Sequence, residues 1–422
     1  MPTLSVVDAA PNPRGRVGVV GLGYIGLPTA ACLAGAGFEV IGIDVDPRVI
    51  EAVNAGRAHI VEPGLDELLS AVVDGGRLRA VLAPEPADIW LIAVPTPVGH
   101  DQFRTPDLSY VDAAADALAP VLKRGDLVVL ESTSPVGTTR RMIERLSAAR
   151  PDLRFPQDGR PEAEVDVDAA YSPERVIPGR TLEELAINDR VVGGATPRAA
   201  RRAAALYRHM TSGELLQTDD RTAEFVKLAE NAFRDVNIAF ANELSMVCDQ
   251  VGLNVWEVIR LANHHPRVSV LTPGPGVGGH CIAVDPWFIV AQAPEAARLI
   301  RTAREVNDGK PDFVLAKIGA VLEADPQAVV ACLGLAFKPN VDDFRESPSL
   351  DIARALTARY PGRVICAEPY ADALRDPGEL VLKPLPEALE TANAVLALVA
   401  HDEFRALPRP RVPVVDACGL WK

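Results

Sequence analysis

The chain has 422 residues, a formal net charge of −14, 48% hydrophobic residues and a mean hydropathy of +0.10. That length predicts two or three domains with sizeable cores, and the acidic balance argues against nonspecific nucleic-acid binding while leaving room for a local basic pocket. No apolar run reaches the length of a membrane span, and residues 1–13 read as a short disordered leader without the plan of a signal peptide.

In chain order, Arg16 to Val20 reads as a buried first strand, followed directly by Gly21-Leu22-Gly23-Tyr24-Ile25-Gly26. A small-residue helix, Leu27 to Ala36, suits close packing on a sheet. A second strand, Phe38 to Ile43, ends at Asp44. Strand, glycine turn, helix and a terminal acid about twenty residues on form the dinucleotide-binding fingerprint. An acid at that place bonds ribose hydroxyls and repels a 2′-phosphate, so the expected cofactor is NAD.

Further strands are expected at Ile89 to Val94, Leu127 to Glu131 and Val165 to Tyr171, with helices at Leu108 to Leu122 and Gly137 to Ala149. This alternation predicts a doubly wound parallel sheet. Pro95-Thr96-Pro97 and Ser132-Thr133-Ser134-Pro135 close two of the strands at the edge where such sheets bind ligands. From about Pro197 to Asn263 the pattern turns to long helices, with an unbroken one over Thr222 to Val251. A glycine-rich loop and a helix from about Pro294 to Asp308 follow. A second, smaller α/β unit then has strands Ala328 to Leu333, Val364 to Ala367 and Ala394 to Val399, with a helix from Leu350 to Arg359. The fold class is therefore α/β, with two Rossmann-like parallel-sheet domains joined by a long-helix region. The expected boundaries are 14–200, 201–312 and 313–422.

The chemistry concentrates in Gly278-Gly279-His280-Cys281-Ile282-Ala283-Val284-Asp285. Glycines allow backbone to crowd a ligand, and a thiol on such a loop becomes a nucleophile when a nearby charge or dipole favours the thiolate. The other five cysteines sit in apolar or small-residue surroundings and read as core. Six scattered cysteines without metal-ligand spacing indicate reduced thiols in a cytoplasmic chain and no metal site. His280 either helps to hold the thiolate or is a structural loop residue.

Lys227, Asn231 and Arg234 share one face of the long helix. They form either a solvated face or, given the apolar flanks, a buried cleft able to hold an oxyanion. Glu174, just past a strand, is a water-activating base or an exposed loop carboxylate. His264-His265-Pro266-Arg267 suits hydrogen bonding to a substrate better than metal ligation.

GLGYIGLPTA, VPTP, ESTSPVG, SPERV, KLAENAFRDVNIAFANEL, GPGVGGHCIAVDPWF and GLAFKPNVDD-RESP together resemble the nucleotide-sugar 6-dehydrogenases, in the right order over almost the whole chain. GGHCIAVDPW departs from the GGxCFPKD form of the UDP-glucose branch, and NHHPRV resembles the N-acetylmannosamine branch more than the N-acetylglucosamine one. The resemblance implies an NAD domain, a central dimerisation region and a UDP-binding domain. It implies a four-electron oxidation of a sugar C6 alcohol to a carboxylate with two NAD in turn, for surface polysaccharide precursors.

Carried over by motif, Cys281 would trap the aldehyde, Lys227 and Asp285 would handle the first proton, and Asn231 would hold the oxyanion. Glu174 with Thr133 would serve thioester hydrolysis. Besides Gly21, Gly23 and Gly26, NAD contacts would come from Tyr24, Ile25, Asp44, Thr96, Thr139 and Arg345. Substrate contacts would come from Arg175, Val176, Arg234, His265, Arg267, Gly278, Phe337 and Lys338, beside Lys227 and Asn231. The implied partners are a UDP-sugar and a second copy of the chain. Two rivals stand beside this reading: a two-electron 3-hydroxyacid dehydrogenase, which needs neither the cysteine nor the second α/β domain, and an NAD-sensing scaffold without turnover.

Overall fold

The computed structural model describes residues 14–99, 104–157, 159–177, 179–279 and 281–422; the leader and His280 lie outside the described residues. The chain divides into two compact units, Met1–Leu228 and Ala229–Lys422.

The first unit runs β1 (Arg16–Val20), α1 (Gly26–Gly35), β2 (Glu39–Ile43), α2 (Pro47–Asn54), α3 (Leu65–Asp74), β3 (Leu78–Val81), β4 (Ile89–Ile92) and α4 (Ser109–Leu118). It continues with β5 (Leu127–Leu130), α5 (Thr138–Ala149), β6 (Asp168–Tyr171), α6 (Thr181–Ile187), β7 (Arg190–Gly194), α7 (Pro197–Tyr207), β8 (Leu215–Asp219) and the first turns of α8 (Asp220–Gln250). Its eight strands form one sheet in the order β3-β2-β1-β4-β5-β6-β7-β8. Leu127 and Val129 enter one core, and Val128 and Leu130 enter the other, as the two-residue side-chain period requires of a sheet covered on both faces.

Several features were not read in the sequence. Strands β3, β7 and β8 are additional, β8 falling where the sequence pattern suggested only helices from Pro197 onward. In addition β7 pairs antiparallel with β6, Ala170 opposite Gly194 and Tyr171 opposite Gly193. The connection through α6 therefore stays at the carboxyl edge of β6 instead of crossing the sheet, and β7 begins at that edge.

In the second unit α8 continues to Gln250, followed by α9 (Val255–Ala262), α10 (Asp285–Gln292), α11 (Arg298–Ala324), β9 (Val330–Leu333) and α12 (Pro348–Arg359). The chain closes with β10 (Val364–Ala367), α13 (Leu385–Thr391), β11 (Ala394–Ala397), α14 (Asp402–Arg405) and β12 (Val414–Asp416). The four strands, ordered β10-β9-β11-β12, are all parallel. Helix α11 runs 16 residues past the expected stop at Asp308, through Pro311. A proline inside a helix costs ~3 kcal/mol. Here Val314, Ile318 and Leu322 beyond it are buried against the small sheet, a gain of about 1.5–3 kcal/mol each that offsets the break.

Candidate active site

In the first unit the site is built at the carboxyl ends of β1, β2, β4, β5 and β6. Gly21 has φ +90°, and a Cβ there would lie 2.5 Å from the Ala93 carbonyl oxygen; a Cβ on Gly26 would lie 1.8 Å from the Gly21 oxygen. Packing alone thus demands glycine at both. Gly23 differs: a Cβ there would meet no atom within 4 Å. It keeps a bare backbone facing open space beside the N-terminus of α1, whose cap residue Ile25 offers no side-chain hydrogen bond. That is the cradle a pyrophosphate needs, with N–H groups and the positive helix end toward it.

Asp44 stands just past β2, where its carboxylate accepts from the N–H groups of Leu22 (2.9 Å) and Asp46 (3.0 Å). Each oxygen keeps a lone pair for ribose hydroxyls. The Thr96 hydroxyl donates to the Thr133 carbonyl at 2.6 Å, and the Ser132 hydroxyl donates to the Val94 carbonyl at 2.7 Å. The two strand-end turns are thereby locked to each other. Thr139 is fully buried and its hydroxyl donates to Glu224 at 2.7 Å. Glu224 also accepts from the N–H groups of Gly137 and Thr139, so it caps α5. Burial pushes the Glu224 carboxyl up to about 7, against the pull of those bonds.

Glu174 follows β6 and is half-buried. One oxygen accepts from the Arg175 N–H at 2.7 Å and the other from Arg190 Nη2 at 2.6 Å. The sequence reading named Glu174 but missed Arg190, the first residue of β7, because its register with β6 is set by the sheet. Arg175 reaches the Asp189 carbonyl at 3.3 Å, and Val176 packs on the core beside α1.

Lys227 and Asn231 lie one turn apart on α8 and are both buried, 9% and 8% exposed, whereas Arg234 is exposed. For the first two the solvated-face reading is therefore excluded. Burial follows from their neighbours Ala223, Leu228 and Ala232, which are themselves in the interior.

In the second unit, Asn231 Nδ2 donates to Asp285 Oδ2 at 2.5 Å. Asp285 opens α10, and its N–H and that of Val284 both donate to the Cys281 carbonyl, at 2.8 and 3.0 Å. Cys281, Asp285 and Asn231 are thus tied by two short links, with Cys281 partly exposed and Asp285 buried.

The glycine loop is pressed onto the segment after β9: a Cβ on Gly278 would lie 2.4 Å from the Glu346 oxygen and 3.1 Å from Phe337 Cβ. Lys338 Nζ lies 5.4 Å from the Phe337 ring centroid, and Arg345 pairs with Asp343 at 2.6 Å. His265 and Arg267 are exposed beyond α9, the Arg267 N–H donating to His265 Nδ1 at 3.3 Å. Cys32, Cys248, Cys332 and Cys366 are buried, and Cys418 is partly buried with its thiol pushed upward by burial, so five of the six are set apart from Cys281. Among the described residues no group of three or more His, Cys, Asp or Glu is placed to hold a metal ion, and no helix is long and apolar enough to cross a membrane.

Comparison with known proteins matches three consecutive parts: the UDP-glucose/GDP-mannose dehydrogenase family NAD binding domain over 15–211, its central domain over 221–309 and its UDP binding domain over 331–421. The chain belongs to the UDP-glucose/GDP-mannose dehydrogenase family. It is 54% identical over 409 residues to an NDP-N-acetyl-D-galactosaminuronic acid dehydrogenase of Ralstonia nicotianae, covering 96% of each chain. It is 52% identical over 419 residues to the UDP-N-acetyl-D-mannosamine dehydrogenase of Escherichia coli (strain K12), covering 96% of this chain and 99% of that one. Among solved structures, a UDP-D-ManNAc dehydrogenase from Pyrococcus horikoshii superposes with a TM-score of 0.86 at 38% identity, over 96% of both chains. As a family member the chain is an NAD-dependent dehydrogenase, and its glycine cradle and Asp44 fit the dinucleotide that the matched domain binds. The match through a UDP-binding domain also separates it from the 3-hydroxyacid dehydrogenase reading.

Proposed function

We propose that the chain oxidises the C6 alcohol of UDP-N-acetyl-D-mannosamine to the carboxylate, in two two-electron steps through a thioester on Cys281. The observation that carries the proposal is the Cys281–Asp285–Asn231 link, which ties the backbone of the partly exposed Cys281 to Asp285, whose buried carboxylate accepts from the Asn231 amide. NAD, when bound, supplies the hydride acceptor, one equivalent for each oxidation. Lys227 and Asp285 receive the proton of the C6 alcohol. The Cys281 thiolate adds to the resulting aldehyde carbon, forming a C–S bond, and the oxyanion is held by Lys227 and the second amide hydrogen of Asn231. Loss of a second hydride gives the thioester. Water then adds to its carbon, the C–S bond breaks to release thiolate, and one water proton passes to Glu174, with Thr133 holding the water.

NAD contacts are assigned to Gly21, Gly23, Tyr24, Ile25, Gly26, Asp44, Thr96, Thr139 and Arg345. Thr139 acts there as a positioning residue, since its hydroxyl and its N–H both belong to Glu224 and it orders the α5 terminus. Sugar-nucleotide contacts are assigned to Arg175, Val176, Arg234, His265, Arg267, Gly278, Phe337 and Lys338, the last a cation for the diphosphate. The division into 14–200, 201–312 and 313–422 is supported by the matched parts. The exposed apolar residues Phe233, Phe240 and Val247 recur every seven residues along α8 and support a homodimer through that helix. A cytoplasmic site of action, where NAD and UDP-sugars are available, completes the reading.

Steady-state kinetics on UDP-N-acetylmannosamine, UDP-N-acetylglucosamine, UDP-N-acetylgalactosamine and UDP-glucose, with NADH counted per sugar, test it. Two NADH per sugar and the highest kcat/KM for the mannosamine sugar are expected. The galactosamine sugar is the second reading, favoured by the 54% identity to the Ralstonia dehydrogenase; a preference for UDP-glucose overturns both.

A further inference from the structure

Below Glu174 lies a cluster that the reaction described above does not use. Arg190, 4% exposed, directs Nη2 to Glu174 Oε2 at 2.6 Å and to Glu131 Oε1 at 3.2 Å. Its Nε donates to Ser172 Oγ at 3.1 Å, and its guanidinium lies 4.1 Å from the centroid of the Tyr207 ring. The Tyr207 hydroxyl donates to the same Glu131 oxygen at 2.7 Å. The other Glu131 oxygen, Oε2, is buried without a hydrogen-bond partner among the described residues. Four elements supply this cluster: the ends of β5 and β6, the start of β7, and α7. Cys32 on α1 faces Glu174 and Arg190 from the remaining side, where burial holds its thiol neutral.

Two carboxylates around one guanidinium carry a net negative charge when both are ionised, and burial makes that state expensive. One proton relieves it, and the partnerless Oε2 of Glu131 is where that proton fits. With Glu131 neutral, the guanidinium belongs to Glu174, the nearer acceptor. With Glu131 ionised, the guanidinium is shared.

We propose that Arg190 positions Glu174 for the hydrolytic step and that Glu131, by sharing the guanidinium, sets how tightly Glu174 is held. The proposal rests on the reading of Glu174 as the group that takes the water proton. Burial pushes the Glu131 carboxyl up to about 7, against the pull of Arg190. As pH rises through that value, Glu131 ionises and draws on the guanidinium, leaving Glu174 Oε2 freer to accept from water. Thioester hydrolysis therefore accelerates near neutral pH, while the oxidation that precedes it does not.

The test is rapid-quench kinetics of the full-length enzyme with UDP-N-acetylmannosamine and NAD between pH 6 and 9, following NADH and the Cys281 adduct by intact mass. Glu131→Gln keeps the shape of the cluster but removes its ionisation. The expected result is loss of the limb near pH 7 and hydrolysis roughly three- to tenfold slower at pH 8.5, with adduct accumulating and the first NADH burst unchanged. Arg190→Lys keeps the charge but not the fork, and is expected to accumulate adduct at every pH. Wild-type hydrolysis and an unchanged pH profile in Glu131→Gln overturn the proposal. Glu174→Gln run in parallel separates the causes: absence of adduct in that variant overturns the reading of Glu174 and this proposal together, whereas adduct there with a wild-type Glu131→Gln overturns this proposal alone.

Discussion

At the scale of single residues, the chain separates polar groups that hold the fold from those left to act. Glu224 and Thr139 satisfy each other and the N-terminus of α5, whereas Glu174 and Asp44 are anchored through one donor per oxygen and keep lone pairs for a ligand. The backbone carbonyl of Cys281 is held in the turn that starts α10, where it accepts from the N–H groups of Val284 and Asp285. Cys281→Ser should bind NAD and the UDP-sugar nearly as wild type yet lose turnover, since a hydroxyl is a far poorer nucleophile at neutral pH than a thiolate. Steady-state assays check this; more than about a tenth of the wild-type kcat, a barrier loss below roughly 1.4 kcal/mol, would sink the covalent route.

At the scale of elements, the β1–α1 turn shows how one motif holds glycines for unlike reasons. Gly26→Ala drives a methyl into the Gly21 carbonyl and should destabilise the first unit by several kcal/mol or prevent its folding. Gly23→Ala finds open space, so its thermal midpoint should stay within about 1–2 °C of wild type, while NAD affinity falls at least tenfold as the methyl occupies the pyrophosphate's approach. Thermal unfolding and NAD titration of the two variants give the comparison. Equal stability losses would mean that the turn is purely structural. Helix α11 teaches a related lesson: the sequence reading ended it near Asp308, yet burial of the turns beyond Pro311 carries it on to Ala324. Its polar residues Arg304 and Asn307 pair with Asp235 of α8, and Asn242 of α8 accepts from the Gly274 N–H, so the seam between the two long helices also anchors the start of the glycine loop.

At the scale of the whole molecule, Phe233 and Phe240 on α8 are each more than half exposed. Such a stripe in water favours a second copy. If the proposed homodimer forms through that stripe, Phe233→Glu with Phe240→Glu should give a monomer by light scattering, with the second unit still folded by circular dichroism. A dimer surviving both changes would place the interface elsewhere.

The sequence by itself determined the local parts: β1 and its glycine turn, the acid ending β2, the helical face with Lys227 and Asn231, and the cysteine loop. These rest on backbone preference, two- and 3.6-residue periodicity and neighbours within one turn, all of which act over short separations. Only tertiary structure decided that β7 runs against β6. That reversal places Arg190 across from Glu174 and beside Glu131, which stands 59 residues earlier in the chain. Tertiary structure likewise gave the hydroxyl of Thr139 to Glu224, 85 residues away. Strand direction and long-range partners follow from the summed burial of whole elements, and no local pattern in the sequence records that sum.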